Sequence, residues 1–174
     1  MYQDFNRYKI LRVFFRSPSR VFQLRELVRY TRVSLPSTRN HVRSLEKKGF
    51  LEKVKHGVYP GYKLIDSEKT RIYKRNDLLA QIEDTGFIQK LEEKCRPTCI
   101  VLYGSAVEGR DDERGDIDIF VQSEKVKIEI GRYEKEFNRK VNLLFESDMR
   151  KLTPEFINNL ANGIVLKGFL KVKQ

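Results

Sequence analysis

Asp116 and Asp118 stand two positions apart in the apolar run Asp116-Ile117-Asp118-Ile119-Phe120-Val121. Alternation along a strand puts both carboxylates on one face, roughly 7 Å apart, with Ile117 and Ile119 on the other. Two like charges so placed repel, and a strand otherwise made of Ile, Phe and Val tolerates them when a cation neutralises the pair; Mg²⁺ is the usual hard-oxygen partner, with Mn²⁺ as its substitute. Upstream, the apolar run Cys99-Ile100-Val101-Leu102-Tyr103 stops at Gly104-Ser105, and ten residues then intervene before Asp116. Gly104 allows the backbone to approach a phosphate closely, and Ser105 adds a hydroxyl and an N–H at a helix start, where anions bind. Phosphate and metal are therefore expected side by side.

These residues need strands and helices to hold them. The run 99–103 and the run 116–121 read as two β-strands, and Lys140 to Phe145 as a third. Asp66 to about Gln81 reads as a helical connector, and Phe87 to Cys95 as a further helix ended by Pro97. Nearer the start, Phe5, Tyr8, Ile10, Leu11, Val13, Phe14 and Phe15 recur at helical spacing over residues 4–16 and stop at Ser17-Pro18-Ser19. A second helix is predicted from Gln23 to Tyr30. A third is capped by Ser34 or Ser37, with Pro36 in its first turn and Gly49 after its end. Phe50 to Lys55 and Tyr62 to Ile65 then read as a hairpin around a turn at His56–Gly61.

Charge separates the chain into two parts. Of a net +11, residues 1–66 carry +10, from nine Arg and six Lys against five acids, so residues 67–174 carry only +1. A positive field confined to one end is what neutralising a phosphate backbone requires. On the third helix, Thr38, Val42 and Leu45 share an apolar face, while Asn40, Ser44 and Lys47 lie opposite, flanked by Ser37 and Arg43. Asn pairs with adenine, Arg with guanine and Lys with phosphate, so this face suits the DNA major groove.

Residues 1–65 resemble the winged helix-turn-helix family, chiefly through VSLPSTRNHVRSLEKKGFLEK. That resemblance implies a double-stranded DNA partner, met by Ser37, Arg39, Asn40, Arg43, Ser44, Lys47 and Lys48 and by Lys55 and His56 of the hairpin. The stretch VLYGSAVEGRDDERGDIDIFV resembles the minimal nucleotidyltransferases of the DNA polymerase β superfamily, and the likeness extends more loosely from Ile72 to Leu170. The fold class it implies is α+β: a winged helix over residues 1–66, and over 67–174 a nucleotidyltransferase-type α/β domain with a short mixed sheet flanked by helices, 67–82 serving as connector. By the same resemblance Gly104 and Ser105, with Arg110 and Arg114, hold a nucleoside triphosphate. Asp116 and Asp118 are the catalytic pair that binds the metal ions, and the product is a nucleotidylated acceptor plus pyrophosphate.

Two positions depart from the family pattern. Members usually carry a third carboxylate on the next strand, where this chain has Asn142, a residue with no negative charge and no capacity to take a proton. Glu108 stands where relatives commonly show Arg. Two readings stay open: an enzyme that nucleotidylates a protein or nucleic-acid acceptor, and a transcription regulator whose degenerate transferase domain senses nucleotide or mediates homodimerisation. No apolar run reaches the roughly 18 residues that would span a bilayer, and the N-terminus lacks a signal-peptide pattern, so a cytoplasmic protein without a membrane partner is expected. Cys95 and Cys99 lie more than thirty residues from either histidine and read as reduced core residues.

Overall fold

The computed structural model describes residues 2–111 and 115–170. The chain divides into two compact units, Met1–Lys74 and Arg75–Gln174. The division falls within a helix, α4 (Glu68–Asp84). None of the described helices is long and apolar enough to cross a membrane.

The first unit contains α1 (Tyr2–Arg16), α2 (Leu24–Thr31), α3 (Leu35–Lys47), β1 (Leu51–His56) and β2 (Tyr59–Leu64). Helical spacing puts Ile10, Leu11, Phe14 and Phe15 on one side of α1, where they meet Leu27 of α2, Val42 and Leu45 of α3, and Phe50, Leu51 and Tyr62 around the hairpin. Local chemistry sets the helix ends. The Glu26 carboxylate accepts the Gln23 N–H at 2.8 Å where α2 begins. Ser34 occupies the N-cap position of α3 but its side chain makes no hydrogen bond to the helix, so the expected serine cap is absent; Pro36 lies in the first turn, and Gly49, at φ +73°, follows the end. Phe22 and Tyr62 exchange backbone hydrogen bonds of 2.8 Å each, which fastens the segment before α2 to the hairpin.

The hairpin differs from the sequence expectation. Pro60 and Gly61 do not form the turn; they pair in β2, opposite Lys55 and Val54. The turn is Gly57-Val58, with Gly57 at φ +66° at the position where two-residue hairpins demand glycine. Gly61 is needed for another reason: a Cβ there would collide with Val21 Cγ1 and lie 2.9 Å from His56 Cβ.

The second unit holds a four-stranded mixed sheet in the order β5-β4-β3-β6. Its strands are β3 (Cys99–Tyr103), β4 (Ile117–Val121), β5 (Val141–Phe145) and β6 (Ile164–Gly168), and its further helices are α5 (Phe87–Cys95), α6 (Ser105–Glu108), α7 (Gly131–Phe137) and α8 (Pro154–Ala161). β4 runs antiparallel to β3 and parallel to β5, and β6 is antiparallel to β3. Alternation divides each central strand between two cores. Ile100, Leu102, Ile117, Ile119 and Val121 pack with Leu78 and Ile82 of α4, Phe87 and Leu91 of α5, and Tyr133 and Phe137 of α7. Cys99, Val101 and Phe120 pack on the other face with Met149 and with Leu160 and Phe156 of α8. Cys99 is fully buried and both cysteines are free thiols.

Candidate functional site

The registers of three strands place Tyr103 beside Asp118, and Asp118 beside Asn142. Asp116 stands one residue before β4. The Nδ2 amine of Asn142 donates to Asp116 Oδ2 at 3.1 Å and to Asp118 Oδ1 at 2.9 Å, so both carboxylates share the face that alternation predicts. Gly104 closes in from the end of β3. Its φ is +78°, and a Cβ there would stand 2.8 Å from Asp118 Oδ2. No other residue type fits both that backbone conformation and that approach. Ser105 follows as the exposed first residue of α6.

Tyr103 borders this cluster. Its ring meets Phe156 edge-on at 5.2 Å, and burial, reinforced by the negative charge of Asp118, raises its phenol above the ordinary value of 10.0. Among the described residues no group of three or more His, Cys, Asp or Glu is arranged to hold a metal. What converges is two carboxylates and an amide. The donor bridging the carboxylates is neutral, so their charge is left for a cation to offset, and an all-oxygen set suits a hard divalent ion. Rotating the Asn142 amide would turn its Oδ1 toward the pair as a third, uncharged ligand. The residues fit one such ion better than two, because the third carboxylate is missing.

A second arrangement lies behind Asp116. Arg139 pairs with Asp111 at 2.7 Å, with side chains only 14% and 4% exposed. The same guanidinium donates to the carbonyl of Gly115 at 2.7 Å and to that of Asp116 at 2.9 Å. Nothing in the sequence singled out Arg139, one charge within the highly charged stretch Arg132–Lys140. Of the arginines expected at phosphates, Arg110 forms an exposed ion pair with Glu108 at 3.0 Å, and Arg114 lies outside the described residues.

In the first unit, Thr38, Val42 and Leu45 are buried, as the helical pattern of α3 requires, and Arg39, Asn40, Arg43 and Lys47 are exposed. Ser37 and Ser44 are half-buried, while Lys48, Lys55 and His56 are exposed. Several polar residues of α3 line one or other of two recesses. Arg39 and Arg43 line a groove of about 490 Å³ with Arg25, Lys53 and Tyr59. Ser37, Asn40 and Ser44 line a smaller one of about 240 Å³ with Arg7 and His41. Arg7, Arg25 and Lys53 did not emerge from the sequence, because only the packing of α1, α2 and the hairpin against α3 brings them there.

No curated protein and no solved structure matches the chain. The segment from residue 85 to residue 169, which runs from just before α5 through β6 and contains Gly104, Ser105, Asp116, Asp118 and Asn142, matches the family model of the nucleotidyltransferase domain.

Proposed function

We propose that the second unit binds a nucleoside triphosphate together with Mg²⁺ or Mn²⁺, and that the first unit is a winged helix that binds double-stranded DNA. The observation that carries the nucleotide reading is the convergence of Asp116, Asp118 and Gly104, within a segment that matches the nucleotidyltransferase domain. Gly104 leaves its backbone uncovered where a triphosphate would lie, and Ser105 offers an N–H and a hydroxyl to its oxygens. Asp116 and Asp118 would hold the cation. When bound, such an ion supplies positive charge against the phosphate oxygens during displacement. In nucleotidyl transfer an acceptor oxygen bonds to the α-phosphorus while the bond from that phosphorus to the bridging oxygen breaks, and pyrophosphate leaves. Asn142 cannot take the acceptor proton, which goes to water.

That neutral third position favours a second reading, in which the domain binds nucleotide and turns over little or none of it. Under that reading the protein is a DNA-binding regulator that senses nucleotide or dimerises. Under the first, a protein or nucleic acid is the acceptor. Incubation of the full chain with labelled nucleoside triphosphates, Mg²⁺ and cell lysate separates the two. A labelled macromolecule supports transfer, whereas nucleotide retained without labelling supports sensing. Calorimetry that finds nucleotide binding absent, or indifferent to the metal and to Asp116→Asn/Asp118→Asn, would refute the site altogether.

The DNA reading is supported by the exposed cations on α3 and the hairpin and by the +10 carried by residues 1–66. Its test is binding of the full chain to duplex DNA across a range of salt concentrations.

A further inference from the structure

We propose that Arg139 is the positioning residue of the carboxylate pair: clamped by buried Asp111, its guanidinium fixes the backbone on both sides of Asp116 and so sets where that carboxylate stands beside Asp118. The proposal rests on the reading of Asp116 and Asp118 as a metal site. The carbonyl of Gly115 belongs to the peptide preceding the Asp116 Cα, and the carbonyl of Asp116 to the peptide following it; Arg139 donates to both, at 2.7 and 2.9 Å. The following peptide is held from its other side too, since the Ile117 N–H donates to the Lys140 carbonyl at 2.9 Å. With both flanking peptide planes pinned, the direction of the Cα–Cβ bond is determined, and only the two side-chain torsions of Asp116 remain to bring its Oδ2 to Asn142.

This clamp answers a local weakness. Asp116 lies outside the strand ladder and follows Gly115, the residue type with the greatest backbone freedom. The guanidinium is a planar fork whose donors can serve a carboxylate and two carbonyls at once. Its own backbone is held: the Arg139 N–H donates to the Glu134 carbonyl at 3.1 Å, and the next residue but one, Val141, donates to the Glu134 carboxylate at 3.0 Å. The ion pair with Asp111 is almost fully enclosed, so the charge is neutralised within the fold and remains unavailable to a ligand. Arg139 thus acts through Asp116 and does not touch a substrate.

The test uses the full chain carrying Arg139→Lys, with Arg139→Ala alongside. Lysine keeps a positive charge opposite Asp111 but cannot serve all three acceptors in the guanidinium geometry. In the metal-free protein, the Asn142 side-chain amide resonances report whether Asp116 and Asp118 are still bridged, and Mn²⁺ titration reports the site's affinity. For Arg139→Lys we expect a folded protein with a lowered thermal midpoint, because an enclosed acceptor loses its donor, together with displaced Asn142 amide resonances and Mn²⁺ affinity weakened about 10- to 100-fold, the usual effect of losing support behind a metal ligand. Unchanged Asn142 resonances in a folded Arg139→Lys protein would overturn the proposal, whatever the alanine variant does. Wild type that binds no Mn²⁺, with Asn142 resonances that still move in the variant, would sink the metal reading and leave the positioning role standing.

Discussion

At the site, Asn142 does two things that pull against each other. It joins Asp116 to Asp118 through a single amine, and it withholds the third negative charge that the superfamily likeness leads one to expect there. Asn142→Asp, close to isosteric, is therefore not a silent change in the metal-free protein. It removes both bridging bonds and brings three carboxylates together, so the metal-free stability should fall by about 1–2 kcal/mol and recover when Mn²⁺ is added, as thermal melts with and without metal would show. If a missing base is what limits transfer, the same variant should transfer nucleotide at least about tenfold faster than wild type, at the low end of what general-base catalysis contributes. A wild type already turning over near 1 s⁻¹, a common enzyme rate, with the variant no faster, would refute that. Gly104→Ala should be costly in its own right: the backbone at φ +78° and ψ −159° lies in a region almost reserved for glycine, and holding another residue there costs about 1–3 kcal/mol. The new methyl would also crowd Asp118 Oδ2, so metal-dependent nucleotide binding should be lost together with that stability.

The elements were legible in the sequence where a local signal acted alone. Pro36 and Gly49 marked the two ends of α3 because first-turn proline and turn glycine are local signals, although Ser34 occupies the N-cap position without a side-chain hydrogen bond to the helix; the apolar alternation of residues 117–121 marked β4 and the shared face of Asp116 and Asp118. The hairpin turn was misplaced because Pro60-Gly61 is a strong turn signal by itself; Gly61 pairs instead with Val54, and its glycine is demanded by the close approach of Val21, forty residues earlier, which no local rule contains. The Arg139–Asp111 pair escaped for the same reason, its partners being 28 residues apart and both drawn from charged stretches that read as solvent-facing. At the start of α2 the Glu26 carboxyl is held below its ordinary 4.5, chiefly by the Gln23 N–H, with burial opposing and Arg20 assisting. A lowered carboxyl value means that the stability it contributes is present above pH 4.5 and is lost as pH falls through the folded-state value. Melts of the full chain should therefore weaken below that pH, and Glu26→Gln should flatten the acid limb while weakening the protein at neutral pH. An acid limb identical in the two proteins would assign the loss to other groups.

Over the whole molecule, positive charge is concentrated in residues 1–66, and salt is the natural probe of that division. Arg39, Arg43, Lys47, Lys48 and Lys55 are all exposed, and each phosphate they meet should steepen the log–log salt dependence of DNA binding by about 0.9. Replacing Arg39 and Arg43 by Ala should lower that slope by nearly two, whereas Asp116→Asn/Asp118→Asn should leave it unchanged; a flat salt response in wild type would remove the DNA reading. The strand order carries a consequence of another kind. β5 is an outer strand of the sheet, and Asn142 is exposed on it, so the position proposed to separate holding a nucleotide from transferring it bears almost no packing constraint beyond its bonds to Asp116 and Asp118. Asparagine and aspartate codons differ by a single nucleotide. A lineage carrying this fold could thus gain or surrender the third carboxylate in one mutational step while its cores stay untouched, provided a metal is at hand to offset the added charge, and the proposed enzyme and sensor would be neighbouring solutions for selection.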